Sequence, residues 1–346
     1  MKSLQENLPL SMWTTFGVGG PARYFLNAMS EREILEGLDF AKSQSLPVFV
    51  LGGGSNLLVA DRGFEGLVLR VGIKGRAWDD SQLSAAAGED WDEVVADCVE
   101  RGFGGVECLS GIPGLVGGTP VQNVGAYGQE TADVLVGVRA LDLRTETVVE
   151  LSKEDCGFMY RTSIFNTTQR DRYIVLSVTY ALRKGAAPHV TYPDLLRRFE
   201  EKTKPPTLAK VRRAVREIRA TKGMLLVEGD PDCRSAGSFF KNPILTEADY
   251  ARLQADAQEP VPRYPAGTGM VKTSAAWLIE RSGFNKGFTI GSAGVSTRHT
   301  LALVNRGGAT AADILRLARQ IRQGVEEKFG VRLVPEPVFV GFEGEF

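Results

Sequence analysis

Histidine is nearly absent: His189 and His299 are the only two in 346 residues. A Ser-His-Asp relay or a histidine-ligated zinc needs imidazoles close to their partners, so any acid or base chemistry falls to other side chains. Cysteine is sparse too. Cys98, Cys108, Cys156 and Cys233 show no Cys-x-x-Cys or Cys/His ligand spacing, which leads to an expectation of free thiols in a reducing compartment and no metal site. Charge of one sign is missing as well. Lys plus Arg number 41 against 42 Asp plus Glu, for a formal net charge of -1. No global field then draws the chain to nucleic acid or to an anionic membrane. The longest apolar runs, such as Val48–Leu51 and 301–304, are strand-sized and far short of the roughly 20 residues a membrane helix needs. Residues 1–7 carry charge and amides where a secretion signal has an apolar core. The expectation is a cytoplasmic protein whose partners are small molecules, with neither nucleic acid nor membrane among them.

A chain of 346 residues exceeds the size at which one core stops growing, so two or three packed domains are expected. The 43% hydrophobic and 24% charged content is that of an ordinary globular protein, and there are no internal repeats or low-complexity tracts. Ser30-Glu31-Arg32-Glu33 is a capping box, followed by Ile34, Leu35, Leu38 and Ala41 on one helical face, with an end near Ser45. A strand at Val48–Leu51 then feeds Gly52-Gly53-Gly54-Ser55-Asn56. A helix is expected over 91–100, strands over 134–143, 147–151 and 173–182, and a helix over 208–220 behind Pro205-Pro206-Thr207. The last helix starts at Thr310 with Asp313 in capping position, carries Ile314, Leu317, Ile321 and Val325 on one face, and stops at Gly330. Residues 331–340 read as an edge strand broken by Pro335 and Pro337. The pattern is α+β. Three domains are expected: 1–70, joined by a C-terminal strand in 331–346; 71–222; and 223–330.

Two glycine clusters carry the functional signal. A bare-backbone loop after a strand lets N–H groups converge on phosphate oxygens, and Gly52–Asn56 with Leu57 fits that use as well as it fits a tight turn. Neither cluster is followed by Lys-Ser/Thr, which excludes a P-loop. The third Rossmann glycine is missing, and the residues after Leu57 do not read as a helix. The second cluster spans 111–128, with Gly111, Ile112, Pro113, Gly114, Gly117, Gly118, Gln122, Asn123, Gly125, Ala126, Tyr127 and Gly128 as candidate cofactor contacts. Its glycines and prolines forbid a regular helix or strand.

The pair of loops resembles the FAD-binding domain of the vanillyl-alcohol oxidase and p-cresol methylhydroxylase (PCMH) type, in which two such loops line the cofactor. YRTSIF at 160–165, GSFFKNP at 237–243 and PEPVFVG at 335–341 sharpen this to a resemblance to the UDP-N-acetylenolpyruvoylglucosamine reductase family, type I, running nearly end to end. The resemblance implies FAD and NADPH as cofactors, a UDP-sugar substrate, a C-terminal α+β substrate domain and a monomer. It implies Ser238 as proton donor, with Arg161 and Glu336 stabilising an enolate. It also points to Tyr192, Lys222 and Asn242 at the substrate, with Arg219 and Lys241 as further candidates. Two departures stand out. The stretch 223–233 comes after Lys222 where simpler members are shorter, which puts the contact of Lys222 in question, and Pro337 comes after Glu336 where many relatives have a β-branched residue. On the residues alone, another FAD-dependent oxidase or dehydrogenase of this fold, or a non-catalytic nucleotide-sugar binding protein, stays open.

Overall fold

The computed structural model describes residues 3–200 and 204–344. The chain forms two compact units, each assembled from separate stretches. The first comprises Met1–Leu8, Ala22–Gly53 and Glu65–Thr221. Helix α1 (Glu31–Ser43) begins at Ser30, whose hydroxyl accepts the Glu33 N–H at 3.2 Å, while Glu33 in return accepts the Met29 N–H at 2.7 Å. The helix stops at Ser43, short of the expected Ser45, because Ser45 takes a left-handed φ of 52° that no helix continues through. A four-stranded sheet runs in the order Leu4–Pro9, Pro21–Ala28, Phe64–Val71, Val48–Leu51, with the last two strands parallel. A five-stranded antiparallel sheet runs Thr147–Ser152, Leu135–Asp142, Tyr173–Ala181, Gln82–Ala86, Arg76–Asp79.

Helix α2 (Trp91–Glu100) is capped by Asp90 and buries Trp91, Val94, Val95, Cys98 and Val99, the i, i+3, i+4, i+7, i+8 stripe of an amphipathic helix. These join Leu26, Ile34 and Leu69 on one side of the sequence boundary at residue 70, and Leu83, Val138 and Val178 on the other, in a single core. Helices α3 (Pro193–Phe199) and α4 (Leu208–Thr221) form a smaller cluster, in which Leu195, Val211, Ala214 and Val215 pack with Cys108 and Tyr127.

The second unit comprises Pro9–Pro21, Gly54–Phe64 and Lys222–Phe346. Helices α5 (Glu247–Asp256), α6 (Ala275–Arg281) and α7 (Ala311–Phe329) accompany two three-stranded antiparallel sheets. Ile314, Leu317, Ala318, Ile321 and Val325 of α7 are fully buried against Leu278, Ile279, Phe239 and Phe240. Two excursions from the N-terminal third belong here for identifiable reasons. Phe16, Val18 and Leu58 lie in this core, and Asp61 accepts the N–H groups of Ala311 at 2.7 Å and Ala312 at 3.0 Å, adding negative charge at the positive end of α7. Of the edge strand expected over 331–340, only Val338–Val340 is regular, paired in parallel with Leu57–Val59. Pro335 and Pro337 lack the N–H that a ladder needs.

All four cysteines are buried free thiols, and burial pushes Cys98 and Cys156 up to about 12, so they stay protonated and inert at neutral pH.

Helix α7 closes with Gly330 at φ 66° and opens with a reciprocal box, in which Thr310 Oγ1 accepts the Asp313 N–H at 3.1 Å and Asp313 accepts the Thr310 N–H at 3.0 Å. Thr310→Ala is expected to lower stability by about 1 kcal/mol. Urea unfolding should show a lower midpoint at constant slope, and an unshifted midpoint would refute the contribution of the cap.

Candidate active site

In the first unit the parallel strand Val48–Leu51 ends directly in Gly52 and Gly53. A Cβ on Gly53 would sit 2.6 Å from Gly114 Cα, so the two glycine loops touch backbone to backbone and only glycine fits there. The second loop is anchored beneath this contact. Gly114 O accepts the Trp91 N–H at 3.1 Å, Val116 N–H donates to Glu89 O at 2.9 Å, and Gly117 N–H to Ala87 O at 2.9 Å. Gly52 and Gly118, by contrast, have open space where a side chain would be. Ile112, Pro113 and Gln122 are half-buried along the same loop.

Arg161 grips the far end of the second loop. Its Nη2 donates to Gly125 O at 2.7 Å and its Nη1 to Asn123 O at 3.4 Å. A Cβ on Gly125 would come within 3.1 Å of Arg161 Nη1, so glycine lets the guanidinium approach. Asn123, Tyr127 and Arg161 all have positive φ, at 45°, 50° and 56°, a strained backbone state that collects at functional sites. The structure holds Asn123 there. Its amide is buried, donates to Glu130 at 2.7 Å and Met159 O at 3.2 Å, and accepts the Ala132 N–H at 3.0 Å. Tyr127 is buried, with its phenol pushed up to about 12 by that burial, and meets the ring of Tyr192 edge to face at 5.3 Å. Tyr192 is partly exposed at the N-cap of α3, and a Cβ on Gly128 would meet Thr191 Oγ1 at 2.8 Å and His189 Nε2 at 3.0 Å. Arg219, expected at the substrate, is buried on α4 and donates from Nε to Gly111 O at 3.1 Å. Burial holds its guanidinium below the usual arginine range.

Gly54, Ser55, Asn56 and Leu57 belong to the second unit. Gly54 has φ 67°, and a Cβ on it would overlap Trp13 O at 1.7 Å. Ser238 and Glu336 also lie in this unit, on adjacent extended segments. Ser238 bridges Ala302, Phe239 N–H donates to Leu301 O at 2.7 Å, and Glu336 N–H donates to Phe239 O at 2.8 Å. Asn56 Nδ2 donates to Glu336 O at 3.3 Å. Lys241 N–H donates to Val334 O at 2.9 Å, and Asn242 Oδ1 accepts the Ala275 N–H at 3.0 Å, fixing the start of α6. Thus Ser238, Lys241, Asn242 and Glu336 share one small strand array, whereas Arg161, Tyr192 and Arg219 are placed in the first unit.

The stretch 223–233 closes on itself. A Cβ on Gly223, at φ 65°, would lie 3.0 Å from Asp232 Cβ and 3.2 Å from Arg298 Nε, so the excursion after Lys222 returns to its own base. Asp232 is buried and accepts from Thr297 Oγ1 at 2.5 Å, Thr297 N–H at 3.2 Å and Arg298 Nε at 3.1 Å. Arg298 also pairs with Asp230. A cavity of about 470 Å³ opens beside this stretch, lined among others by Thr15, Leu226, Asp230, Arg234 and Arg306. None of Thr15, Asp232, Arg298 or Arg306 stands out in the sequence, because their partners are distant along the chain.

The class follows from two matches. The family model described as FAD binding domain matches residues 22–152, and the model described as UDP-N-acetylenolpyruvoylglucosamine reductase, C-terminal domain, matches 230–340. This is an α+β flavoprotein with a separate C-terminal domain. A UDP-N-acetylenolpyruvoylglucosamine reductase of Thermobifida fusca is 48% identical, over 98% of this chain and 98% of its own length. Another, of Streptomyces avermitilis, is 46% identical over 98% and 95%. The crystal structure of UDP-N-acetylenolpyruvylglucosamine reductase (MurB) from Thermus caldophilus aligns over 97% of this chain and 99% of that one, with 28% identity and a TM-score of 0.66. The chain belongs to the UDP-N-acetylenolpyruvoylglucosamine reductase family. Its residues fit FAD. The touching glycine loops leave Gly52 and Gly118 facing open space, and the hydroxyl of Thr162, next to Arg161 in the chain, is buried without a hydrogen-bond partner among the described residues, the kind of group that a bound polar molecule satisfies.

Two outcomes separate packing from binding in the loops. Gly53→Ala is expected to destabilise the apo-protein by about 1–3 kcal/mol through overpacking of backbone on backbone. Gly118→Leu should leave the urea midpoint in place but weaken FAD binding about tenfold or more in a flavin-fluorescence titration; unchanged affinity would remove Gly118 from the cofactor loop.

A pH dependence follows from Asp232. Burial would raise its carboxyl, but hydrogen bonds from Thr297 and Arg298 and the charge of Arg306 hold it below the usual carboxylate range. A group with a lowered folded pKa contributes stability above its unfolded value, about 4, and loses it as pH falls through the folded value. Asp232→Asn should therefore be less stable than the parent at pH 7 and converge on it at acidic pH; parallel stability curves would refute this.

Proposed function

We propose that the enzyme reduces the enolpyruvyl group of UDP-N-acetylglucosamine enolpyruvate to give UDP-N-acetylmuramate, a step of peptidoglycan precursor synthesis in the cytoplasm, with NADPH as the reductant and a monomer as the working form. Bound flavin, once reduced by NADPH, would supply the hydride that adds to the terminal carbon of the enol ether. Negative charge then develops on the adjacent carbon and its carboxylate. Arg161 pairs with that carboxylate, a preorganised electrostatic role, and Glu336 assists the same charge. Ser238 donates its hydroxyl proton to the carbanion, so that hydride and proton together saturate the double bond. A serine is a weak acid, and the role is reasonable only where its hydroxyl is aimed by a rigid frame at a strongly basic carbon.

The observation that carries this reading is the strand array, in which Glu336 N–H bonds Phe239 O at 2.8 Å while the neighbouring Ser238 bridges Ala302. Proton donor and carboxylate therefore hang from backbones locked to each other. Tyr192, Lys222, Asn242, Lys241 and Arg219 are proposed for the UDP-sugar, its pyrophosphate being matched by cationic and amide donors. The pinch of Gly223 against Asp232 and Arg298 supports keeping Lys222 in that set, since it confines the excursion that begins there. Of the last two, Arg219 is proposed with its Nε still engaged by Gly111 O.

Ser238→Ala tests the proton step. Under anaerobic conditions NADPH should bleach the flavin of this variant at the parental rate, while reoxidation by the enolpyruvyl substrate in stopped flow slows by about 10²–10⁴-fold, the range of a lost general acid. Equal loss in both half-reactions would refute the proton-donor role.

A further inference from the structure

The entry to the second glycine loop is held by a charged cluster in which only Arg219 has been given a part in the proposed function. Asp92, in the first turn of α2, accepts the Gly111 N–H at 2.6 Å. Its carboxylate is also bound by Arg212 Nη1 and by Arg216, both on α4. From the next turn of the same helix, Arg219 Nε donates to the Gly111 carbonyl at 3.1 Å. Gly111 is buried with φ 73°, so its N–H and its C=O are each tied to a charged side chain, and both of its torsions are fixed. Three residues further on lies Gly114, the contact point with Gly53. Burial would raise the Asp92 carboxyl, yet the Arg212 hydrogen bond, the Gly111 N–H and the charges of Arg212 and Arg216 keep it below the usual range, so it is a carboxylate at neutral pH.

We propose that Asp92 is a positioning residue for FAD: braced by Arg212 and Arg216, it works with Arg219 to clamp Gly111 and so sets the course of the second loop. This rests on the reading that residues 111–128 line FAD. The sign of the effect separates the clamp from simple electrostatics. Around Gly111 three guanidinium groups face one carboxylate. Replacing Asp92 by a neutral residue leaves more positive charge, which would by itself tighten binding of an anionic dinucleotide. A clamp predicts the opposite, because the loop loses its shape.

The experiment is a flavin-fluorescence titration of apo-protein with FAD for the parent, Asp92→Asn, Arg219→Lys and the double variant, with the urea midpoint of each apo-protein measured beside it. Asp92→Asn and Arg219→Lys should each weaken FAD about tenfold, the size of one hydrogen bond to a charged group. The double variant should lose less than the product of the two, since both act on one residue. Unchanged or tighter binding by Asp92→Asn, or strictly multiplicative losses, would overturn the proposal. If Asp92→Asn does not fold, Asp92→Glu takes its place with the same expectation, because it keeps the charge and displaces the oxygen that holds Gly111. Gly118→Leu distinguishes the two levels of failure. If it weakens FAD binding while the Asp92 variant does not, the clamp alone is refuted; if neither variant weakens binding, the assignment of the loop falls as well.

Discussion

The contact between Gly53 and Gly114 is the constraint on which the first unit depends. Two loops distant in sequence meet where a Cβ would stand 2.6 Å from a backbone carbon, closer than any side chain permits. Everything near it serves to make that approach reproducible. The parallel strand Val48–Leu51 delivers one loop in register with Phe64–Val71, and α2 holds the other through the Trp91 N–H on Gly114 O. With no Cβ at either contact glycine the loops close on each other, and open space is left at Gly52 and Gly118.

The division between the two units falls within the glycine tract itself, between Gly53 and Gly54. Gly54 turns with φ 67° against the Trp13 carbonyl, and from there the chain enters the core that contains Leu58, Phe239 and α7. Asp61 at the N-terminus of α7 and Asn56 on the Glu336 carbonyl tie this excursion down. The N-terminal third therefore supplies both units, and cutting the sequence at residue 70 separates residues that share one core while uniting others that do not.

What was legible in the sequence depends on the range of the forces involved. Helices α1, α2 and α7 were readable because their caps and apolar stripes are local, with partners three or four residues apart. The glycine loops were readable because the residue type itself is the signal. Helix α6 has seven residues, too few for a helical period to declare itself. Asp92 looks like any acid in a first helical turn, and its hold on Gly111 across nineteen residues and on Arg212 across 120 is tertiary. Arg161, Ser238 and Glu336 carry no periodicity and were picked out by the motifs around them, not by pattern. The closure of 223–233 onto Asp232 and Arg298 was hidden for the same reason: ends that meet in space leave no trace in composition.

For the proposed proton transfer, placing Ser238 and Glu336 on paired extended segments has a chemical consequence that their identities alone do not. A hydroxyl gives up a proton to carbon only if its direction is set beforehand, since any freedom to turn costs the alignment on which the transfer depends. Strand pairing fixes the backbone from which that hydroxyl hangs, leaving its χ1 and O–H rotor as the freedoms still to be set. Phe239 donates to Leu301 on one side and accepts from Glu336 on the other, and its ring is buried against Phe16, Phe240 and Phe339. Phe239, beside both residues proposed for the chemistry, is thus held by backbone and ring together. Pro335 and Pro337 act in the same direction, because each locks φ on one side of Glu336 while the Glu336 N–H completes the bond to Phe239 that the array requires.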